Sequence, residues 1–389
     1  MRKSILLSII SCLLFPIAGL AVKIVHGPYL QNVGSTEATI VWVTDADCDG
    51  HVELAPDDGT NFYACARPKY YDTNMGVKRV GKIHAVRLTG LSPNTSYRYR
   101  ILSTEVLKRE GWHVVWGYVA ASDVYSRQPL KFTTLDPTKA ETSFVILNDI
   151  HEHVNTIEPL LKRAGYENSD MVICNGDMVS ILPDAEKLFT GFMDESVRLF
   201  ASEKPFYYVR GNHETRGAAA TLFHDYVCPR QEHLYFMWRQ GPVCFIALDT
   251  GEDKPDDDLE YAGMNTYDSY RDEQAKWLAE AVQRPEYKDA QYHVVICHIP
   301  PVTNKGEAWH GNMEVTSKFV PVLNKAGVDV MICAHEHRFS FHPDTEGVNF
   351  PIVINANTTS LRGETKGGKL HLSIYDEKGK VIFSHDFGK

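Results

Sequence analysis

The stretch SFVILNDIH, residues 143–151, runs through four consecutive apolar residues and then reaches Asp149 and His151. Similar short apolar runs recur as DMVICNGD (170–177), PFYYVRGNHE (205–214), VCFIALDTG (243–251), YHVVICHIPP (292–301), DVMICAHEH (329–337) and PIVINANTT (351–359). Such runs predict strands that are buried on both faces. Helices are predicted between them at 158–164, 185–202, 273–283 and 318–326. Residues 137–389 are therefore predicted to form an α/β domain in which helices cover the sheets.

Five of these seven runs end in side chains that can bind a metal. They supply Asp149 and His151, Asp177, Asn212 and His213, His298, and finally His335 and His337. Ligands of α/β sheets bind outside the carboxyl ends of the strands, so these side chains are predicted to meet at one edge. On an extended chain, His335 and His337 would point to the same side and Glu336 away from it.

The residue types indicate which metals would bind. Carboxylates, an amide and imidazoles suit divalent zinc, manganese or iron. Two aspartates, one asparagine and four of the histidines make seven ligands. Seven are too many for one tetrahedral ion, and predict two ions that share a bridging carboxylate. Two such ions are a known device for phosphoryl transfer, because they neutralise phosphate charge and lower the pKa of a bridging water.

The ordered set DxH, GD, GNHE, the histidine after VVIC and HxH resembles the calcineurin-like metallophosphoesterase family, across residues 143–389. The resemblance implies a four-layer α-β-β-α sandwich. It assigns one metal to Asp149, His151, Asp177 and His337, and the other to Asp177, Asn212, His298 and His335. His213 would be a catalytic residue that does not bind metal and that protonates the leaving oxygen. Glu214 could help to orient His213, or could equally face solvent.

Residues 22–136 differ in pattern, because alternating apolar positions and turn residues predict an all-β sandwich. GLSPNTSYRYRI, residues 90–101, resembles a strand of fibronectin type III domains, and Trp42 resembles their core tryptophan. The aromatic-rich segment 103–127 could pack against the next domain. Cys48 and Cys65 could form a disulfide.

Purple acid phosphatases pair a similar β-domain with this catalytic fold, and the chain departs from them at two positions. His151 stands where they have glycine, and Ser180 stands where they have the tyrosine that binds ferric iron. The sequence therefore resembles a colourless relative.

Substrate contacts are predicted for Arg216, beside GNHE, and for His310, with Trp309 as a further candidate. The acidic segment 250–273 is either a lid over the site or a solvated loop. The predicted function is hydrolysis of a small phosphomonoester. A phosphodiesterase using the same site is the alternative, as is a glycan- or protein-binding protein with a weakly active phosphatase-like domain.

The N-terminal residues 1–21, MRKSILLSIISCLLFPIAGLA, resemble a cleaved signal peptide and predict export. A lipoprotein attached at Cys12 is the alternative. No second apolar segment of about 20 residues follows, so no membrane span is predicted for the mature chain. With a formal net charge of −10, nucleic acid is not expected as the main partner. The oligomeric state is not predicted.

Overall fold

The structure is a computed structural model that describes residues 21–227, 232–304 and 306–388. All but the last residue of the predicted signal peptide, including Cys12, lies outside the described residues. No helix among the described residues is long and apolar enough to cross a membrane.

The N-terminal unit is built from strands alone. They are β1 (Ile24–Gln31), β2 (Glu37–Pro56), β3 (Lys69–Tyr71), β4 (Thr73–Asn74), β5 (Val77–Lys78), β6 (Val80–Thr89), β7 (Ser96–Glu110), β8 (His113–Ala121) and β9 (Leu130–Thr133). The long strand β2 pairs with β1 and β6 through its first part and with β3 and β7 through its second part, so it joins both groups of strands into one seven-stranded sheet. Trp42 of β2 is fully buried and donates a hydrogen bond to Ser103 Oγ at 2.7 Å.

Segment 103–127 contains an exposed hairpin of β7 and β8, and Trp112 at its tip is 100% exposed. The expectation that this segment packs against the next domain is therefore wrong. The two units contact each other elsewhere. The Tyr29 hydroxyl donates to the Tyr226 carbonyl at 2.9 Å, and the Tyr99 hydroxyl donates to the Ser202 carbonyl at 2.7 Å. His26 Nδ1 also lies 3.0 Å from Asp194 Oδ1.

The predicted pairing of Cys48 with Cys65 is also wrong, because both thiols are free. Cys48 is buried, and its Sγ lies 3.4 Å from the carbonyl oxygen of Ala46. Cys65 is exposed and lies beside Arg67.

Two mixed sheets form the C-terminal unit. Their strands are β10 (Ser143–Leu147), β11 (Met171–Asn175), β12 (Phe206–Val209), β13 (Phe236–Gln240), β14 (Val243–Leu248), β15 (Tyr292–Cys297), β16 (Val330–Cys333), β17 (Ser340–His342), β18 (Ile352–Ile354), β19 (Ser360–Lys366), β20 (Lys369–Tyr375) and β21 (Val381–Phe387). One sheet has the order β12-β11-β10-β19-β20-β21, and the other β13-β14-β15-β16-β18-β17.

Helices cover the outer face of each sheet. They are α1 (Ile157–Arg163), α2 (Glu186–Leu188), α3 (Asp194–Ser196), α4 (Phe223–Tyr226), α5 (Tyr267–Ala281), α6 (Pro285–Lys288), α7 (His310–Lys318) and α8 (Val320–Ala326). Ile146 and Ile296 point into the core between the sheets, whereas their neighbours Val145 and Val295 pack against opposite helical layers. Strands buried on both faces thus produce the four layers that the sequence predicts.

The helix predicted at 185–202 runs without a break from Glu186 to Ala201, because π-helical turns at Phe189–Met193 and Val197–Ala201 continue α2 and α3. Two other helices differ from their predicted bounds. The helix expected at 273–283 begins at Tyr267, because the Asp256 carboxylate accepts hydrogen bonds from the backbone N–H groups of Tyr267 and Asp268 at 2.7 and 3.1 Å. Only α8 lies inside the range predicted at 318–326, and α7 precedes it.

Candidate dinuclear metal centre

The predicted ligands follow the carboxyl ends of β10, β11, β12, β15 and β16, and the structure brings them together. Several lie in tight loops with left-handed backbone. The φ angles of Asp149, His151, Asp177, His335 and His337 all lie between 45° and 70°. This region is uncommon for residues other than glycine, and such conformations cluster at functional sites.

The first group consists of Asp149, His151, Asp177 and His337. His337 Nε2 lies 3.2 Å from Asp149 Oδ1 and 3.4 Å from His151 Nε2. His151 Nε2 lies 3.9 Å from Asp177 Oδ2. One potential ligand atom of each of the four residues lies within 4.8 Å of those of the others.

The second group shares Asp177 with the first and adds His298 and His335. Asp177 Oδ2 lies 3.0 Å from His298 Nε2. Asn212 joins this group, because its Oδ1 lies 3.1 Å from Nδ1 of His335. Asp177 is therefore common to both groups of candidate ligands.

The donor set fits bound cations. Asp149 Oδ1 is buried and accepts no hydrogen bond from the residues described. Burial opposes a charge on His298, but the Asp177 and Asp149 carboxylates outweigh that effect and raise its pKa to about 10. Buried carboxylates that raise the pKa of a neighbouring histidine also favour a bound positive charge, which divalent metal ions supply.

Hydrogen bonds on the outer side fix how two of the imidazoles point. His298 Nδ1 lies 2.8 Å from the carbonyl oxygen of Asn175, which can only accept, so Nδ1 carries a proton. Nε2 is the nitrogen that faces Asp177, and it could bind a metal after releasing its own proton. Ser180 Oγ donates to Glu152 at 2.8 Å and lies 3.3 Å from His151 Nδ1, so Nε2 of His151 likewise faces the centre. Such outer hydrogen bonds are typical of metal-binding histidines.

His213 lies at the edge of this cluster. Its backbone N–H donates to Asp177 Oδ1 at 2.9 Å, and its Nδ1 lies 2.8 Å from the carbonyl oxygen of Ser180. Because that carbonyl accepts the Nδ1 proton, Nε2 is the atom that can exchange a proton with a bound molecule.

Glu214 is buried and holds the backbone of two ligand loops. Its carboxylate accepts hydrogen bonds from the backbone N–H groups of Asp177 at 3.0 Å, Met178 at 2.7 Å and Gly211 at 2.9 Å, and from the Tyr208 hydroxyl at 2.7 Å. It neither faces solvent nor contacts the His213 ring. Sequence reasoning missed this role, although its position directly after GNH was a signal.

Arg216 is close to the cluster. Glu252 binds it through two contacts, at 2.8 Å to Nε and 2.9 Å to Nη2, while Nη1 lies 3.3 Å from His213 Nε2. The start of the acidic segment is thus buried beside the site. Burial and Glu252 raise the pKa of the neighbouring Asp253 to about 7. Residues 250–253 are therefore neither a lid nor a solvated loop. Farther along the segment, Leu259 and Met264 are exposed, as expected of a solvated loop.

His310 does not join the cluster. Its Nε2 lies 2.7 Å from Asp268 of α5, so its side chain is bound to a neighbouring helix. The preceding residue, Trp309, lies beside the cluster instead. The centre of its ring is 6.3 Å from that of the His335 ring, and its side chain remains about half exposed.

The comparison with protein families agrees with this geometry. The profile described as calcineurin-like phosphoesterase matches residues 142–339, just over half of the chain. The chain belongs to the calcineurin-like phosphoesterase family. Dinuclear metal sites are typical of this family, and the two groups that share Asp177 are the candidate ligands in this member.

The N-terminal unit of this phosphoesterase matches a second profile, described as the purple acid phosphatase N-terminal domain, at residues 25–126. The curated purple acid phosphatase 21 of Arabidopsis thaliana is 26% identical over 275 residues, which cover 67% of this chain and 53% of that protein. The chain thus spans about half the length of this relative.

Among solved structures, a purple acid phosphatase, PPD1, from yellow lupin seeds (Lupinus luteus) superimposes with a TM-score of 0.66 at 14% identity, covering 93% of this chain and 74% of that chain. A dimetal phosphatase from Danio rerio gives a TM-score of 0.46 at 13% identity, covering 65% of this chain and 99% of that chain. The lupin structure shares the fold of both units. The limits 22–136 and 137–389 stay predictions.

Proposed function

We propose that this phosphoesterase hydrolyses small phosphomonoesters at a centre of two divalent metal ions. Asp149, His151, Asp177 and His337 would hold one ion. Asp177, Asn212, His298 and His335 would hold the other, with Asp177 bridging. The convergence of these two groups on a shared, buried Asp177 is the observation that carries the proposal.

When bound, the ions supply positive charge that neutralises the phosphoester and activates water for attack at phosphorus. The chain's own residues supply the rest. His213 is held by its backbone N–H and by Nδ1, so its Nε2 faces the cluster. We assign to it the protonation of the leaving oxygen, which is general acid catalysis.

Arg216 would bind a phosphate oxygen through Nη1. Glu252 holds its Nε and Nη2 and fixes the guanidinium plane, so little side-chain entropy is lost on binding. The apolar face of Trp309 would contact the leaving group.

A combined measurement of metal and activity tests the proposal. We expect about two equivalents of zinc, manganese or iron per purified chain, and hydrolysis of 4-nitrophenyl phosphate in preference to bis(4-nitrophenyl) phosphate. Asp177→Asn should lower both metal content and turnover. Less than one equivalent of metal would exclude the enzyme, and a preference for the diester would make the chain a phosphodiesterase.

We further propose that the chain is exported. The charged and then apolar residues 1–21 support this, and export would remove them. Mass spectrometry of the protein recovered outside the cytoplasm should show a chain that begins near residue 22, whereas a lipid-modified Cys12 would indicate a lipoprotein.

A further inference from the structure

The β7–β8 hairpin of the N-terminal unit carries an unusual concentration of exposed apolar side chains. Ten of the nineteen large exposed hydrophobic residues in the described part of the chain lie on it or beside it. They are Met75, Val77, Val80, Leu107, Trp112, Val115, Trp116, Tyr118, Val119 and Tyr125. Apolar surface concentrated in this way marks an interaction site.

Strand β8 is also an open edge. Its sheet has the order β1-β2-β7-β8, and among the described residues β8 pairs with β7 alone. The backbone N–H of Tyr118 donates to Glu105 Oε2 at 3.3 Å, and the other outer backbone groups of β8 are available to another strand. Natural proteins usually protect such edges with proline, charges or short strands.

Strand β8 lacks these three protections, although its register with β7 shifts between Thr104 and Val106 and again between Val106 and Lys108, as in a β-bulge. Its nine residues, HVVWGYVAA, contain no proline and no lysine, arginine, aspartate or glutamate. By contrast, β1 at the other end of the same sheet contains Pro28, and the edge strand β21 of the C-terminal unit contains Asp386. Strand β8 is therefore less protected by proline and charge than these two edge strands.

We propose that a second copy of this chain covers the edge, with the two β8 strands pairing antiparallel about a twofold axis. An isologous interface of this kind needs only one surface that is complementary to itself. Such a pairing would bring the exposed side chains of Val115, Trp116, Tyr118 and Val119 against the same strand of the partner subunit. Aromatic and β-branched pairs of this type stabilise sheets.

Area and charge both favour a second copy. A buried aromatic side chain contributes about 150–250 Å², so Trp112, Trp116, Tyr118 and Tyr125 supply a large share of the about 800 Å² per partner in a standard interface. The chain has a formal net charge of −10, but in the hairpin Lys108 and Arg109 balance Glu105 and Glu110. Two copies can therefore approach here without strong repulsion.

A lipid surface suits this edge less well, because unpaired backbone groups of an open sheet edge find no hydrogen-bond partner in hydrocarbon. A partner strand satisfies those groups and covers the aromatic side chains together. The pairing is independent of the phosphatase activity proposed above.

Sedimentation velocity of the purified protein over a concentration series tests the proposal. We expect a monomer–dimer equilibrium that Val119→Lys weakens at least about tenfold, because it introduces a charge into the paired strands. The matched control is Val381→Lys on the edge strand β21, where the valine is similarly exposed, and it should leave the dimer intact. Circular dichroism establishes that both variants are folded.

Hydrogen exchange provides the second measurement. Alternate backbone amides of β8 should exchange more slowly at high protein concentration than at low concentration. A protein that stays monomeric at about 100 μM would overturn the proposal. So would a dimer that Val381→Lys disrupts, one that Val119→Lys leaves intact, or one that leaves the β8 amides unprotected.

Discussion

Ser180 Oγ lies 3.3 Å from Nδ1 of His151 and so supports a candidate metal ligand from its outer side. Glu152 accepts the serine proton at 2.8 Å, which leaves Oγ free to accept the Nδ1 proton of the histidine. The position at which purple acid phosphatases carry a tyrosine ligand has, in this chain, the geometry of a residue that orients a ligand.

We predict that Ser180→Ala weakens metal binding about 10–100-fold without unfolding the chain, because it removes the hydrogen bond that orients His151. Competition against a chelator of known affinity measures this. The control is Ser317→Ala on the exposed face of α7, which should bind metal like the unchanged protein. Equal affinities for both variants would show that Ser180 does not orient the ligand.

We also predict that the metal-loaded protein is colourless. No tyrosine stands at the Ser180 position, and the hydroxyl of the nearby Tyr208 is bound to Glu214 at 2.7 Å. A phenolate–iron bond is therefore not expected, even when iron is loaded. The absorption spectrum of the concentrated iron-loaded protein between 500 and 600 nm checks this, and a strong band there would reveal a tyrosine ligand.

Glu214→Gln should lower the free energy of unfolding by at least about 2 kcal/mol, because an amide cannot accept all the hydrogen bonds that the buried carboxylate accepts. Measuring urea unfolding of the metal-free protein separates this effect from metal binding. The control is Glu203→Gln, an exposed carboxylate that accepts one backbone hydrogen bond, from Lys131. Similar losses for the two variants would contradict the role of Glu214 in holding the ligand loops.

The sequence predicts the architecture well, because strands buried on both faces leave a pattern along the chain. Val145 and Ile146 show why: neighbouring residues must both be apolar when one faces the other sheet and the next faces a helix. The same pattern places the candidate ligands at one edge, since parallel strands end there.

The local geometry of the ligands is not readable in this way. His335 and His337 come together because both adopt left-handed backbone, with φ of 70° and 57°, and not because the chain there is extended as predicted. Glu336 does not turn away to solvent either, since it is buried and accepts a hydrogen bond from Thr303 at 3.1 Å. Tight-loop conformations depend on tertiary contacts that a sequence pattern does not encode.

The same limit explains the exchange of Trp309 for His310. Which of two adjacent residues faces the centre depends on where α7 begins, and Trp309 immediately precedes that helix.

We predict that Trp309→Ala raises KM for phenyl phosphate several-fold more than KM for a small alkyl phosphate, because it removes an aromatic contact. Steady-state kinetics with both substrates measures this. Met313→Ala, a half-exposed residue on α7, is the control, and an equal change for both substrates would argue against contact with the leaving group.

His213→Ala should retain metal but lose about 10²–10⁴-fold in kcat, because it removes the proposed proton donor without removing a ligand. The loss should grow as the leaving group becomes a poorer one, since a good leaving group departs without a proton. A series of aryl phosphates that spans the pKa of the leaving phenol, with metal content measured on the same samples, tests both parts. His310→Ala is the matched control, because that histidine is bound to Asp268 and should affect turnover little. A uniform loss across the series would assign His213 to positioning the phosphate and would leave the proton donor to be found elsewhere at the site.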